Sequence, residues 1–276
     1  MKDVSIVIVG TNEKADVMRC LPSIENSRTS FSIETILVDN ASTDGTGQAV
    51  IERFKNVRII RTDRRMGYIE NNLLGMREAC GRYVLLLNAD IDLKPDTLQY
   101  AVEFMDAHPE AAVSSCKLLF DDGTLQLTCR RFPTPLVYLA RLPHFLRWIR
   151  WAKRFSKNRV VDRYLMADYD HQKTKAVDWV LSAFFLLRRE ALEDIGPVGR
   201  GLLQPFYLED VDWCFRAWVR GWKVYYLAEV EAFHFYKRGS VSRFGKLSLV
   251  HLGNIVIFFA KNGWAMLLGR HKRHAR

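Results

Sequence analysis

A glycine-rich phosphate cradle is missing from this chain. Its first strand-like run, Val4–Val9, ends in 9-VGTNEK-14 with a single glycine. Neither the G-x-G-x-x-G turn of a dinucleotide fold nor the P-loop G-x-x-x-x-G-K-[ST] is present. Cysteine is scarce and scattered: Cys20, Cys80, Cys116, Cys129 and Cys214 are odd in number and never form a C-x-x-C pair. That argues against a disulfide framework or a zinc site and fits a reducing cytosol. No run of about 18 apolar residues escapes polar interruption, so the sequence predicts no membrane span. The start, 1-MKDVSIVIVG-10, is short and lacks the small-residue cleavage site of a signal peptide.

What is present is the composition of a folded domain: 276 residues, 49% hydrophobic and 26% charged. Lys and Arg outnumber Asp and Glu 41 to 31, a formal charge of +10. Such a balance favours an anionic partner, whether a phosphorylated small molecule, an acidic membrane surface or a nucleic acid.

The first third alternates two periodicities. Strand-like runs at Val4–Val9, Ile33–Val38, Val57–Arg61 and Tyr83–Leu87 are separated by helix-like stretches at Val17–Ile24, Gly47–Phe54 and Tyr68–Cys80, and Asp96–Ala107 follows. Short, continuously apolar strands between helices predict an α/β fold with a parallel sheet covered on both faces. Beyond Ala112 the rhythm loosens. Pro133, Pro135 and Pro143 precede a basic stretch, Val177–Arg188 reads as one long strand, and Val224–Leu227 and Ala232–Phe235 as two short ones. No repeat or low-complexity linker divides the chain, so one continuous fold is expected.

Ligands of open parallel sheets sit beyond the carboxyl ends of the strands. The first, second and fourth strands end in 10-GTNEK-14, 39-DNASTDGT-46 and 88-NADID-92, which predicts one shared polar rim. Without a glycine cradle, phosphates at a carboxylate-rich rim call for a bridging divalent cation. Asp90 is the natural ligand, with Asp92 or Asn88 as helpers, although Asp-x-Asp also arises as an ordinary loop before Pro95. Asp39 could accept a hydrogen bond from a nucleobase N–H or simply close an Asx-turn. In 205-PFYLEDVDWCFRAWVRGWKV-224, Glu209, Asp210 and Asp212 open a helix, a position where the helix dipole alone favours acids. In 231-EAFHFYKRGSVSR-243, His234 ends a strand ahead of Lys237, Arg238 and Ser240, and a lone His among aromatics is commonly a core residue.

The ordered blocks 4-VSIVIVGTN-12, 37-LVDNASTDGT-46, 67-GYIENNLLG-75, 81-GRYVLLLNAD-90, 177-VDWVLSAFFLLRRE-190, 207-YLEDVDWCFR-216 and 234-HFYKRGS-240 resemble glycosyltransferase family 2. Within it they are most similar to rhamnosyltransferase-like enzymes of bacterial surface-polysaccharide assembly. The resemblance spans about residues 3–240. It implies a GT-A fold, a nucleoside-diphosphate sugar donor such as dTDP-rhamnose or a UDP-sugar, a Mg²⁺ or Mn²⁺ ion, and inversion at the anomeric carbon. Asp39 then resembles the base-binding aspartate, and Asn88-Ala89-Asp90 the D-x-D motif, with Asp90 on the metal and Asn88 facing ribose or sugar. Asp210 resembles the catalytic base, Glu209 an acceptor-positioning residue, and His234 a late motif near the diphosphate or metal. The same blocks place Thr11, Asn12, Gly67, Asn72 and Arg238 on the donor side. Two positions depart from the pattern: Arg65 replaces the usual Asn, and Asp92 is an unusual additional acid.

The chemistry agrees with those roles. An inverting transfer needs one carboxylate to take the acceptor hydroxyl's proton. It also needs positive charge against the leaving nucleoside diphosphate, from the metal and Lys237 or Arg238. Residues 1–245 are expected to form one GT-A domain, with a donor-binding half 1–92 and an acceptor half 93–245, followed by an amphipathic, basic segment 246–276. Residues 142–159 project Trp148, Trp151 and Phe155 to one side and Arg147, Arg150 and Lys153 to the other, as a membrane-surface helix or a packed amphipathic helix would. The expected partners are the donor, a glycan or lipid-linked acceptor, the inner face of a membrane and a second copy, with no nucleic acid. A sugar-nucleotide pyrophosphorylase and a basic nucleic-acid-binding module are the rival readings. The first wants a glycine- and arginine-rich loop that 9-VGTNEK-14 lacks, and the second sets acids at 39, 90, 92, 209, 210 and 212 against phosphates.

Overall fold

A computed structural model describes residues 2–141, 157–202, 208–236 and 246–267. Its centre is β1 (Val4–Gly10), flanked in parallel by β2 (Ile33–Asp39) and β4 (Tyr83–Asn88), with β3 (Val57–Arg61) beyond β2. These are the strands read from the sequence, each ending within a residue or two of its expected limit. The helices between them are α1 (Lys14–Glu25), α2 (Thr46–Arg53) and α3 (Tyr68–Glu78).

Strand alternation divides the interior into two cores. Ile6 and Ile8 of β1 pack with Val17, Cys20 and Leu21 of α1, while Val7 faces Ile69 and Met76 of α3 on the other side. Burial on both faces is why these strands are continuously apolar. Helix α3 lies close on the sheet because Gly75 has no side chain: a Cβ there would sit 2.3 Å from Val7 Cγ1.

Past Asn88 the sheet becomes mixed. The chain continues through β5 (Ile91–Leu93), α4 (Thr97–Ala107), β6 (Ala111–Leu119), β7 (Cys129–Arg130), α5 (Pro135–Arg141), α6 (Lys157–Tyr164), β8 (Lys175–Ala176), β9 (Trp179–Val180), β10 (Phe184–Arg188), α7 (Arg189–Ile195), α8 (Glu209–Val219), β11 (Lys223–His234) and α9 (Lys246–Leu267). Strand β10 inserts antiparallel between β4 and β6, and β11 runs parallel to β6 and antiparallel to β5. The parallel expectation therefore holds for the first four strands and fails at β10.

Two strand boundaries differ from the sequence reading. Val177–Arg188 is not one strand: it breaks between β9 and β10 at residues 181–183, where the chain crosses the sheet rim. The two short runs at 224–227 and 232–235 are one strand, β11, with a register shift between Leu227 and Glu231. The intervening Ala228 N–H bonds to Thr174 Oγ1 at 3.0 Å, so the bulge satisfies its backbone outside the ladder. Among the described residues no helix is long and apolar enough to cross a membrane.

Candidate active site

The register sets the rim. Gly10 pairs with Asp39 and Val9 with Asn88, so the ends of β1, β2 and β4 lie side by side. Asn40 fastens the loops above them. Its Nδ2 donates to Thr11 Oγ1 at 2.9 Å and to the Met66 carbonyl at 3.1 Å, and its Oδ1 accepts the Met66 N–H at 2.8 Å. Asn12 sits in the left-handed region at φ 55°. Its Oδ1 accepts the Thr43 N–H at 2.7 Å and its own N–H donates to Ser42 Oγ at 3.0 Å. Thr11 and Asn12 are thus on the expected rim, cross-linked to the β2 loop.

Asp39 is fully buried. Its Oδ1 accepts the Ser42 N–H at 3.1 Å, the Asx-turn contact foreseen for it. Its Oδ2 has no hydrogen-bond partner, although Arg61 Nε lies 3.3 Å away, out of line for a bond. A buried acceptor left open in this way is costly unless a donor arrives. Gly47, in the first turn of α2, makes room for it, since a Cβ there would lie 2.3 Å from Oδ2. Gly47→Ala is therefore expected to displace the carboxylate, lower stability by about 1–3 kcal/mol and weaken nucleotide binding, read by calorimetry on the folded variant.

At the end of β4, the Asn88 N–H donates to the Ala183 carbonyl at 2.9 Å. The Tyr68 hydroxyl reaches Asn88 Oδ1 at 3.2 Å and the Ser182 carbonyl at 3.5 Å. Ala89 is buried beneath. Two residues on, Asp90 meets His234, whose Nε2 lies 3.2 Å from Asp90 Oδ1 without making a hydrogen bond. The tautomer of His234 follows from its neighbour. Gln126 Nε2 donates to the His234 carbonyl at 2.8 Å, which fixes the amide so that Oε1 faces His234 Nδ1 at 2.8 Å. Because Oε1 only accepts, Nδ1 carries a proton, and Nε2 is the ring nitrogen turned to the carboxylate. Two electron-rich atoms at that spacing call for a proton or a cation between them.

Asp92 lies in β5 opposite Phe233. Burial first, then the charges of Asp92 and Asp90, push the Cys20 thiol up, so both acids lie near α1. Among the described residues no three His, Cys, Asp or Glu side chains gather as a metal-holding group.

Glu209 and Asp210 open α8 after Leu208, whose φ of 69° turns the chain sharply into the helix. Both acids are buried, only 6% and 8% exposed. Asp210 Oδ1 accepts the Val211 N–H at 2.8 Å. Burial pushes the Asp210 carboxyl up to about 6, opposed by that N–H and by the charge of Arg130. Arg130 itself is held over the rings of Trp179 at 5.2 Å and Tyr164 at 5.7 Å. Asp212, the third acid, is committed elsewhere, to Arg216 Nε at 2.9 Å and Asn262 Nδ2 at 3.2 Å.

Tyr68 joins the two regions. Burial, then the Glu209 charge, raise its phenol above the usual range. Tyr68, Asn72, Ser182 and Glu209 line a cavity of about 10 Å³, room for about one water. Gly67 and Asn72 serve α3 itself: the Gly67 N–H donates to Glu70 Oε2 at 2.9 Å, and Asn72 Nδ2 to the Tyr68 carbonyl at 2.9 Å. Arg65 is exposed on the same loop, while Lys237, Arg238 and Ser240 lie outside the described residues. Asn40, Tyr68, Gln126, Arg130 and Ser182 were not singled out from the sequence. Asn40, Tyr68 and Ser182 carried a signal, their places in 37-LVDNASTDGT-46, 67-GYIENNLLG-75 and 177-VDWVLSAFFLLRRE-190, whereas Gln126 and Arg130 carried none.

The profile of glycosyl transferase family 2 matches residues 5–196. The chain belongs to that family. This family 2 glycosyltransferase is similar to the N-acetylglucosaminyl-diphospho-decaprenol L-rhamnosyltransferase of Mycobacterium tuberculosis, 26% identical over 267 residues that cover 88% of this chain and 82% of the relative. It is also 25% identical to the rhamnosyltransferase WbbL of Escherichia coli, over 67% of this chain and 64% of WbbL. Among solved structures, GalNAc-T7 with UDP, GalNAc and Mn²⁺ superposes with a TM-score of 0.68 at 16% identity, over 94% of this chain and 48% of that one. The fold is thereby that of GT-A glycosyltransferases.

Proposed function

We propose that this glycosyltransferase moves a sugar, with inversion, from a nucleoside-diphosphate donor to a hydroxyl of a glycan or lipid-linked acceptor in cell-surface polysaccharide synthesis. A dTDP-rhamnose or UDP-sugar donor is in keeping with the rhamnosyltransferases it resembles and with the UDP carried by GalNAc-T7. The observation that carries the proposal is the continuity of the rim. Asp39, Asn88 and Asp90 follow one another along the strand ends, and Tyr68 and Ser182 link Asn88 to the Glu209–Asp210 turn.

In this reading the open Oδ2 of Asp39 takes a base N–H, and Thr11 and Asn12 border the nucleoside. Asp90 and His234 would hold a divalent cation, since an imidazole Nε2 beside a carboxylate oxygen suits one. When bound, such an ion neutralises charge developing on the leaving diphosphate. Asp210 takes the proton of the attacking hydroxyl, and Glu209 orients the acceptor. We take residues 1–245 as the transferase unit, donor half 1–92 and acceptor half 93–245, followed by the amphipathic, basic segment 246–276, with the whole working at the inner face of a membrane.

A thermal-shift panel of UDP- and dTDP-sugars with and without Mn²⁺ or Mg²⁺ tests the reading. A metal-dependent rise in melting temperature with one donor supports it, and no response to any nucleotide sugar sinks it. The pH dependence follows from Asp210. The ionised form is the base, and its carboxyl titrates at about 6, so kcat/KM should fall about tenfold per unit below that pH and level off above it. A profile flat down to pH 4.5 would remove Asp210 from the base role.

A further inference from the structure

We propose that the outward face of α9, marked by Leu252, Val256 and Ala260, docks on an anionic lipid bilayer. This extends the lipid-linked acceptor reading above, and its test does not depend on transfer.

Helix α9 packs on the core through Phe258, Ile255 and Ile257, yet it also carries an apolar stripe on its outer face. Among its described side chains Asn254, Phe258 and Asn262 are buried, whereas Leu252, Val256 and Ala260 face outward one turn apart, Leu252 57% and Val256 61% exposed. A helix packed on a domain in water normally places aliphatic residues inside and charges outside. Here no charged residue stands between Lys246 and Lys261. The inward polar groups have structural work: Asn262 donates to Asp212 Oδ1 at 3.2 Å, and Phe258 meets the Phe215 ring at 6.0 Å. Rotating the helix to hide the aliphatic stripe would break both contacts. Helix α5 packs alongside through Tyr138, 6.2 Å from the His251 ring and 6.0 Å from Phe259, and its Leu136 is 44% exposed.

Charge complementarity selects the occupant. The chain that follows α9 carries Arg270, Lys272, Arg273 and Arg276 with no acid. The chain that follows α5, 142-LPHFLRWIRWAKRFSK-157, carries Arg147, Arg150, Lys153, Arg154 and Lys157, again without an acid, among Trp148 and Trp151. Both cationic stretches emerge from helices that carry the exposed aliphatic residues. A second copy would bring the same cations against them. An anionic bilayer offers the opposite charge together with an apolar layer for the stripe. Since α9 packs directly on α8, the surface so docked is one helix away from Glu209 and Asp210.

The test is co-sedimentation of the full chain with phosphatidylglycerol/phosphatidylcholine vesicles and with phosphatidylcholine alone, beside sedimentation velocity without lipid. The wild type is expected to bind the anionic vesicles and to release them as salt rises. Leu252→Gln/Val256→Gln should bind at least about tenfold more weakly, with an unchanged melting temperature because both side chains are exposed. Equal binding by that variant, no binding by the wild type at low salt, or a lipid-free dimer that the substitutions dissolve would each overturn the proposal. No sugar nucleotide enters the assay, so its failure is separate from failure of the transfer reading.

Discussion

Asp210→Asn is expected to bind donor nucleotide as the wild type does and to transfer sugar about 10²–10⁴-fold more slowly, the usual contribution of a positioned general base. The substitution keeps the size and the acceptor oxygen that receives the Val211 N–H, so α8 should keep its place. What disappears is the proton acceptor. Stability should move the other way. The folded-state carboxyl titrates at about 6, above its ordinary 3.8, so this buried group costs stability as pH rises through that window and remains costly at neutral pH. The variant should therefore melt no lower than wild type at pH 7.5. Loss of activity without loss of stability separates a base from a structural acid. Transfer at a wild-type rate would refute the assignment.

Asp90→Asn carries the second large effect. Asp90 Oδ1 and His234 Nε2 face each other without a hydrogen bond, an arrangement that a cation between them would satisfy. Asparagine offers a neutral oxygen or an N–H in place of the anion, and the N–H would satisfy Nε2 internally. The expected outcome is loss of Mn²⁺-dependent stabilisation by nucleoside diphosphate and a fall of about 10²–10³ in transfer. Binding of the metal-free nucleoside should change little, because Asp39 lies on a different strand. Retained Mn²⁺ response in this variant would exclude Asp90 as a ligand.

Much of this was legible in the sequence, for a physical reason. Strands β1 and β4 and the end of β2 are buried on both faces, so their composition had to be largely apolar, and the polar clusters at their ends had to share one edge. The mixed half was less legible. Nothing in Phe184–Arg188 distinguishes a strand inserted antiparallel from a parallel one, since both faces are buried in either case. The break at residues 181–183 was hidden because one small polar residue, Ser182, between Leu181 and Ala183 does not interrupt a strand-like run. Partners far apart in the chain were hidden too: Gln126 sets the His234 tautomer across 108 residues, and Tyr68 reaches the Ser182 carbonyl across 114.

The most direct test is a crystal of the protein soaked with Mn²⁺ and a nucleoside-diphosphate sugar, read by anomalous and difference density. The base should rest against Asp39 Oδ2, the Mn²⁺ peak should touch Asp90 and His234, and the anomeric carbon should face Asp210. A nucleotide bound away from Asp39, or a metal peak remote from Asp90, would contradict a single cleft served by all three carboxylates.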